Sequence, residues 1–184
     1  AALQLKPDGY YLIVGRLVPD NNADLIVEGF CRSNTTKRLV IVGDVPYRDA
    51  YATNIKKKND ERLLFTGYIN DPNVLRELYC NSFAYFHGHE YGGTNPTLLK
   101  ALANGCCILA LDTVFSREVL SDGRYGAFFK KDPADVSSII FKVETDQASY
   151  QEMRRTTRDR IKERYSWEFI TDKYETLFRH MVTK

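Results

Sequence analysis

Short apolar runs alternate along this chain with stretches of helical period. Tyr10-Tyr11-Leu12-Ile13-Val14 is the first run, Leu39-Val40-Ile41-Val42 the second, and Leu63-Leu64-Phe65, ending at Gly67, the third. Phe83-Ala84-Tyr85-Phe86 and Cys107-Ile108-Leu109-Ala110-Leu111 follow, with a shorter sixth at Gly126-Ala127-Phe128-Phe129. These runs are continuously apolar rather than alternating, the pattern of strands buried on both faces, as in a parallel sheet. Between them, residues 23–31, 71–80 and 96–104 carry helical spacing. Asp71-Pro72 and Asn95-Pro96 each supply an N-cap with proline at the first helical position, and Gly105 reads as a C-terminal cap. From Pro133 onward the pattern is wholly helical. Residues 134–145 are amphipathic, residues 147–164 are strongly charged, and residues 166–181 align Trp167, Ile170, Tyr174, Leu177 and Met181 on one apolar stripe. Strand–helix–strand repetition implies right-handed crossovers with helices on both faces. The pattern predicts an α/β fold: a Rossmann-like doubly wound parallel sheet of about six strands, with a helical tail over about residues 134–184.

Length and composition narrow the picture. The 184 residues fall in the usual range of one domain, roughly 100–200 residues, and no internal repeat, low-complexity tract or linker divides residues 1–184. Basic and acidic residues number 26 and 24, so the chain lacks the basic excess of a nucleic-acid binder and no nucleic-acid partner is expected. Lys56-Lys57-Lys58, the one basic cluster, reads as an exposed helix end. Cys31, Cys80, Cys106 and Cys107 form no Cys-x-x-Cys pair. They read as reduced, buried thiols in a cytoplasmic protein, with Cys106-Cys107 inside a strand. No stretch approaches the roughly 18 apolar residues of a membrane span. The start has neither the basic region nor the apolar core of a signal peptide, and it lacks an initiator Met, from which a piece of something longer is expected.

In a doubly wound sheet ligands bind at the carboxyl ends of the strands, and three such loops carry unusual residues. Gly15-Arg16-Leu17 follows the first strand; Arg16 either presents a charged donor fork to a diphosphate or sits in a surface salt bridge. Gly67-Tyr68-Ile69-Asn70-Asp71 follows the third, where Tyr68 or Ile69 either stacks on a base or belongs to an ordinary turn. The richest loop is His87-Gly88-His89-Glu90-Tyr91-Gly92-Gly93-Thr94-Asn95-Pro96. Its glycines free the backbone, and the amides of residues 93–97 are expected to point outward at a positive helix end, an anion site suited to pyrophosphate. Glu90 would repel phosphate and is better suited to accept hydrogen bonds from sugar hydroxyls. His87-x-His89-Glu90 also admits a metal reading, but no third ligand stands at a recognisable spacing. A buried His87 satisfied by hydrogen bonds is the preferred reading, so no metal is expected. The Gly-x-Ser-x-Gly elbow of hydrolases and the Gly-x-Gly-x-x-Gly dinucleotide fingerprint are both absent.

The order of motifs resembles the C-terminal domain of family-4 retaining glycosyltransferases of the GT-B fold. It runs through Val14-Gly15-Arg16-Leu17, Val42-Gly43-Asp44 and Phe65-Thr66-Gly67-Tyr68-Ile69. It continues through Glu90, Lys100-Ala101-Leu102-Ala103-Asn104-Gly105, Ser116-Arg117-Glu118-Val119-Leu120, the Gly123 to Gly126 turn and Tyr165-Ser166-Trp167. The variant around Gly92-Gly93-Thr94-Asn95-Pro96 looks most like bacterial rhamnosyltransferases and mannosyltransferases of polysaccharide synthesis. The resemblance implies metal-independent transfer of a sugar from a nucleoside diphosphate to an acceptor hydroxyl, with retained configuration and no cofactor beyond the nucleotide-sugar donor. By position, Gly15, Arg16, Gly92, Gly93 and Thr94 would hold the diphosphate, Glu90 the donor sugar as the catalytic residue, and Tyr68 and Ile69 the base. An N-terminal GT-B domain of the same enzyme would bind the sugar or lipid-linked acceptor. The terminal helix would pack toward that half, and the isolated half would be inactive. Peripheral attachment to the inner membrane face would also come through it. Two departures stand out. Lys100 occupies the ribose-proximal position where the family usually has a Glu, and Asn21-Asn22 stand where it places a phosphate-binding Lys. They keep open a non-catalytic nucleotide- or sugar-binding module. A nucleotide-sugar epimerase and a flavodoxin-like signalling domain fit the pattern less well.

Overall fold

The computed structural model describes residues 3–182. Six strands, β1 (Tyr10–Val14), β2 (Arg38–Val42), β3 (Leu63–Gly67), β4 (Ala84–His87), β5 (Ile108–Leu111) and β6 (Ala127–Phe129), form one sheet in the order β3-β2-β1-β4-β5-β6. Every pairing between them is parallel. The expected doubly wound sheet is therefore present. Alternate residues of β1 enter different cores, as strand geometry requires: Tyr11 and Ile13 pack on one face, Tyr10 and Leu12 on the other. Burial on both faces is why these strands read as unbroken apolar runs.

The helices that cover the sheet are α1 (Ala23–Arg32), α2 (Ala50–Lys56), α3 (Pro72–Asn81), α4 (Pro96–Ala103), α5 (Val114–Val119), α6 (Pro133–Thr145), α7 (Gln147–Arg164) and α8 (Trp167–Val182). The chain winds outward from β1 through β2 to β3, then α3 carries it back to place β4 against the other side of β1. That reversal opens a crevice between the carboxyl ends of β1 and β4, where ligands of such sheets bind. Asp71 and Asn95 cap α3 and α4 as expected, accepting from the amides of Asn73 and Thr97. Past α4, Gly105 adopts φ +74° and the amides of Gly105 and Cys106 reach back to the Leu102 and Ala101 carbonyls, a Schellman closure.

Two cysteine expectations need correction. Cys106 and Cys107 lie just ahead of β5 rather than inside it, and only these two are fully buried; Cys31 and Cys80 are half-buried. Burial pushes the Cys106 and Cys107 thiols up to about 12, so neither is a nucleophile at neutral pH.

The charged sequence of α7 has a structural use. Arg154 donates to the carbonyl of Cys80 at the end of α3, Arg158 to that of Asn104 beyond α4, and Arg160 to those of Glu118 and Val119 in α5. Three guanidinium groups thus donate to carbonyls at three helix C-termini, where a cation also meets the negative end of the helix dipole. Helix α8 is different: none of its residues is buried, and Trp167 is 84% exposed. The apolar stripe exists but lies uncovered. Among the described residues, no helix is long and apolar enough to cross a membrane.

Candidate functional site

A cleft of about 290 Å³ occupies the crevice between β1 and β4. Its walls come from both loops that the sequence marks: Gly15, Arg16 and Asn21 after β1, and His87 at the end of β4 with Gly88, His89 and Asn95 after it, reaching Pro96 and Thr97 at the start of α4. The two loops are stitched together. Asn22 donates from Nδ2 to the Gly88 carbonyl at 2.9 Å and to Glu90 Oε2 at 3.3 Å, and the Glu90 amide donates to the Asp20 carbonyl at 2.9 Å. Asn21 Oδ1 lies 2.6 Å from His89 Nδ1, while its Nδ2 donates to the Arg16 carbonyl at 2.7 Å. A Cβ on Gly88 would stand 2.4 Å from the Asn21 carbonyl oxygen, so that glycine permits the close approach. Asn21 and Asn22 therefore brace the site. In the sequence they are marked by their place in the loop after Gly15-Arg16 and by standing where a lysine was expected, neither of which shows the bracing role.

Arg16 is exposed on the rim and forms no ion pair among the described residues. The salt-bridge alternative for this residue is not realised. Gly92 adopts φ +100° and, with Gly93 and Thr94, is exposed above the start of α4. The amides of Gly92, Gly93, Thr94 and Asn95 make no hydrogen bond among the described residues. The expected amide row is shorter than residues 93–97, however. Pro96 has no N–H, and the Thr97 amide is occupied by the Asn95 cap at 2.9 Å. Tyr85 holds this corner by donating to Thr97 Oγ1 at 3.1 Å.

Gly93 is informative because nothing in the protein explains it. A Cβ there would have open space within 4 Å, and its φ is not in the left-handed region. Gly93→Ala is expected to leave folding unchanged or stabilise it by about 0.4–1 kcal/mol through the unfolded chain, while weakening anion binding several-fold. Thermal unfolding and phosphate-ligand titration check this; equal affinity would remove Gly93 from the site.

Glu90 is not a free carboxylate. Lys131, from the turn between β6 and α6, reaches its Oε2 at 2.6 Å. That ammonium, with Asn22 adding to it, lowers the Glu90 pKa below the usual carboxylate range. Lys131 lies 41 residues from Glu90 in sequence, so no local motif could reveal it. His87, expected to be buried and satisfied, is 5% exposed, but it makes no hydrogen bond among the described residues. Burial, with His89 beside it, pushes its pKa down to about 3, so the ring is neutral at physiological pH.

The remaining sequence candidates lie further out. Tyr68 is half-exposed beyond β3 and donates to the Asp44 carbonyl at 2.8 Å. Ile69 is turned against the core face that holds Tyr10 and Leu12. Lys100 is exposed in the last turn of α4 and does not line the cleft. Among the described residues, no three His, Cys, Asp or Glu side chains cluster as a metal site.

A six-stranded parallel sheet in this order, with a cleft at its switch point and a loop of free amides entering a helix, defines a Rossmann-like nucleotide-binding class of domain. The family described as "Glycosyl transferases group 1" matches residues 2–160, and the chain belongs to it. One curated relative, the N-acetylgalactosamine-N,N'-diacetylbacillosaminyl-diphospho-undecaprenol 4-alpha-N-acetylgalactosaminyltransferase of Campylobacter jejuni, is 30% identical over 127 residues. That match covers 68% of this chain and 34% of the relative. The poly(ribitol-phosphate) alpha-N-acetylglucosaminyltransferase of Staphylococcus aureus is 23% identical over 171 residues, 90% of this chain and 34% of the relative. The chain thus spans about a third of the length of these curated relatives. Among solved structures, Anabaena HepE in complex with UDP and glucose superposes with a TM-score of 0.80 at 14% identity, over 93% of this chain and 48% of that one. The C-terminal domain of the Francisella tularensis glycosyl transferase LpcC matches with a TM-score of 0.78 at 16% identity, over 89% of each chain. These likenesses establish the fold.

Proposed function

We propose that this chain is the donor half of a glycosyltransferase that moves a sugar from a nucleoside diphosphate to an acceptor hydroxyl, with retention and without a metal. The observation that carries the reading is the switch-point cleft, with the unpaired guanidinium of Arg16 in its wall and the unbonded amides of residues 92–94 in the loop beside it, between lining residues His89 and Asn95. A diphosphate needs compensation of its charge, and Arg16 with the amides of Gly92, Gly93 and Thr94 supplies it from the chain itself. Glu90 sits in the same loop with a carboxylate oriented by Lys131 and Asn22, suited to accept from donor-sugar hydroxyls. Tyr68, anchored to Asp44, offers a half-exposed ring toward the base side. The relatives support a nucleotide-sugar donor: HepE was crystallised with UDP and glucose. The Campylobacter relative is named for transfer of N-acetylgalactosamine to a diphospho-undecaprenol-linked sugar. A UDP-N-acetylhexosamine is accordingly the donor to try first, beside the mannosyl and rhamnosyl donors suggested by the motif variant. The acceptor, sugar or lipid-linked, would be bound by a separate N-terminal domain.

A second reading, a nucleotide-sugar-binding module without catalysis, is favoured by Lys100, because an ammonium donates hydrogen bonds but accepts none. Calorimetric titration with UDP, GDP and dTDP, alone and as sugar conjugates, tests the common element of both. One nucleotide should bind without magnesium, and one conjugate more tightly. No binding of any nucleotide would sink both readings. Transfer of the sugar to acceptor by the full-length protein separates them.

Within that framework, Glu90→Gln is expected to weaken the preferred sugar conjugate about three- to tenfold and the bare nucleotide little. Removing the carboxylate also frees Lys131, but Lys131 is exposed and Glu90 only half-buried, and pairs at the surface contribute only about 0–1 kcal/mol, so stability should hardly move. Equal losses for nucleotide and conjugate would count against a sugar-facing Glu90.

A further inference from the structure

The cleft floor holds a polar group that the diphosphate and sugar contacts above leave out. His87 ends β4, 5% exposed, and its ring lies 6.2 Å from that of Tyr85, stacked at 30°, and 6.0 Å from that of His89. It lines the cleft beside Gly15 and Arg16. Its neighbours are otherwise engaged: His89 faces Asn21, and Tyr85 donates to Thr97. His87 has no hydrogen-bond partner among the described residues. Among the described residues the fully enclosed side-chain polar atom without a partner is the Tyr79 hydroxyl; the His87 ring nitrogens instead stay open to the cleft, where a ligand can meet their unused hydrogen-bonding capacity.

We infer that His87 is a donor-contacting residue: it hydrogen-bonds a hydroxyl of the glycosyl donor at the bottom of the switch-point cleft, and so helps set which sugar is accepted. The inference rests on the proposed function above. A neutral imidazole offers one N–H and one lone pair, the complement of a hydroxyl, which also donates and accepts. It adds no charge toward a diphosphate, which Arg16 already meets. With its pKa far below neutrality, the imidazole stays in this form at physiological pH, and the contact does not switch on or off there. A site built to hydrogen-bond a hydroxyl also rejects an analogue that lacks one, because the protein group is then left unpaired.

The test compares the unsubstituted chain with His87→Phe and His87→Gln. Calorimetry is run with UDP, GDP and dTDP and with UDP-N-acetylglucosamine, UDP-N-acetylgalactosamine, GDP-mannose and dTDP-rhamnose, beside thermal unfolding without ligand. His87→Phe removes the unpaired polar atoms and keeps a ring against Tyr85. It should bind the preferred conjugate about tenfold more weakly, bind the bare nucleotide nearly normally, and unfold at the same or a higher temperature. His87→Gln, which can donate and accept, should recover part of the conjugate affinity. Unchanged conjugate affinity in His87→Phe would overturn the inference. So would equal loss for nucleotide and conjugate together with a lower unfolding temperature, since that marks a packing role. If the unsubstituted chain binds no nucleotide or conjugate, the donor-half reading fails and takes this inference with it; if it binds and only the substitutions are silent, the inference alone fails.

Discussion

Gly43→Ala is expected to destabilise the protein by roughly 2–6 kcal/mol, lowering the midpoint of denaturant unfolding without changing its slope. Two independent penalties meet at this residue. Its φ is +122°, a conformation that L side chains rarely adopt, and such strain costs about 1–3 kcal/mol. An added Cβ would also stand 2.0 Å from the carbonyl oxygen of Gly15. The obstacle is backbone, which cannot rotate aside like a flexible side chain, and forced overpacking costs about 1–3 kcal/mol more. The place explains the tightness. The Gly15 amide donates to the Val42 carbonyl and the Gly43 amide to the Gly67 carbonyl, so the ends of β1, β2 and β3 close together directly behind the cleft. Any relief of the clash must push Gly15, and with it Arg16, away from the site. Protein that still folds should therefore bind nucleotide less well. A loss below about 1 kcal/mol would mean that the loop is far softer than its hydrogen bonds imply.

The strands and the long helices were legible because burial on two faces leaves uninterrupted apolar runs, and because Asp71, Asn95 and Gly105 sit at helix ends where their chemistry is specific. Helices α2 and α5 were not. They have 7 and 6 residues, less than two full turns, so no apolar period can develop, and their caps Asp49 and Thr113 are common loop residues. The charged α7 was legible as a helix but not as a clamp, since the carbonyls it reaches lie 41 to 74 positions away in sequence. In the site, the glycines and Arg16 announced themselves through the backbone freedom and fixed charge they bring. Lys131 did not, because its pairing with Glu90 depends on β6 lying beside β5 at the far end of the sheet order. His87 was half legible. Burial follows from its place at the end of an apolar strand, but whether a buried ring finds a partner is decided by loops that fold around it.

Arg16→Ala should cause the largest loss of donor binding of any single change in the cleft, roughly 10- to 150-fold, corresponding to about 1.5–3 kcal/mol for a charge-assisted contact. The reason lies in what the free protein already does with its charges. Glu90 and Lys131 are paired with one another, so a ligand that engages either must first loosen an existing contact, and the net gain is small. Arg16 has no such partner among the described residues, and its full attraction is available to an incoming diphosphate. The same freedom means that removing it disturbs nothing in the fold, so unfolding should shift by no more than about 0.5 kcal/mol. Exposure on the rim adds a second signature. The contact is screened by salt, whose Debye length is about 8 Å at physiological ionic strength, so affinity of the unsubstituted chain should fall as salt rises and that of Arg16→Ala should fall less. Arg16→Lys separates charge from geometry: an ammonium keeps the attraction but not the planar fork, and an intermediate affinity is expected. Titration of UDP and its conjugates across a salt series measures all three proteins at once. If Arg16→Ala bound nucleotide as tightly as the unsubstituted chain at low salt, the loop amides alone would suffice for the diphosphate.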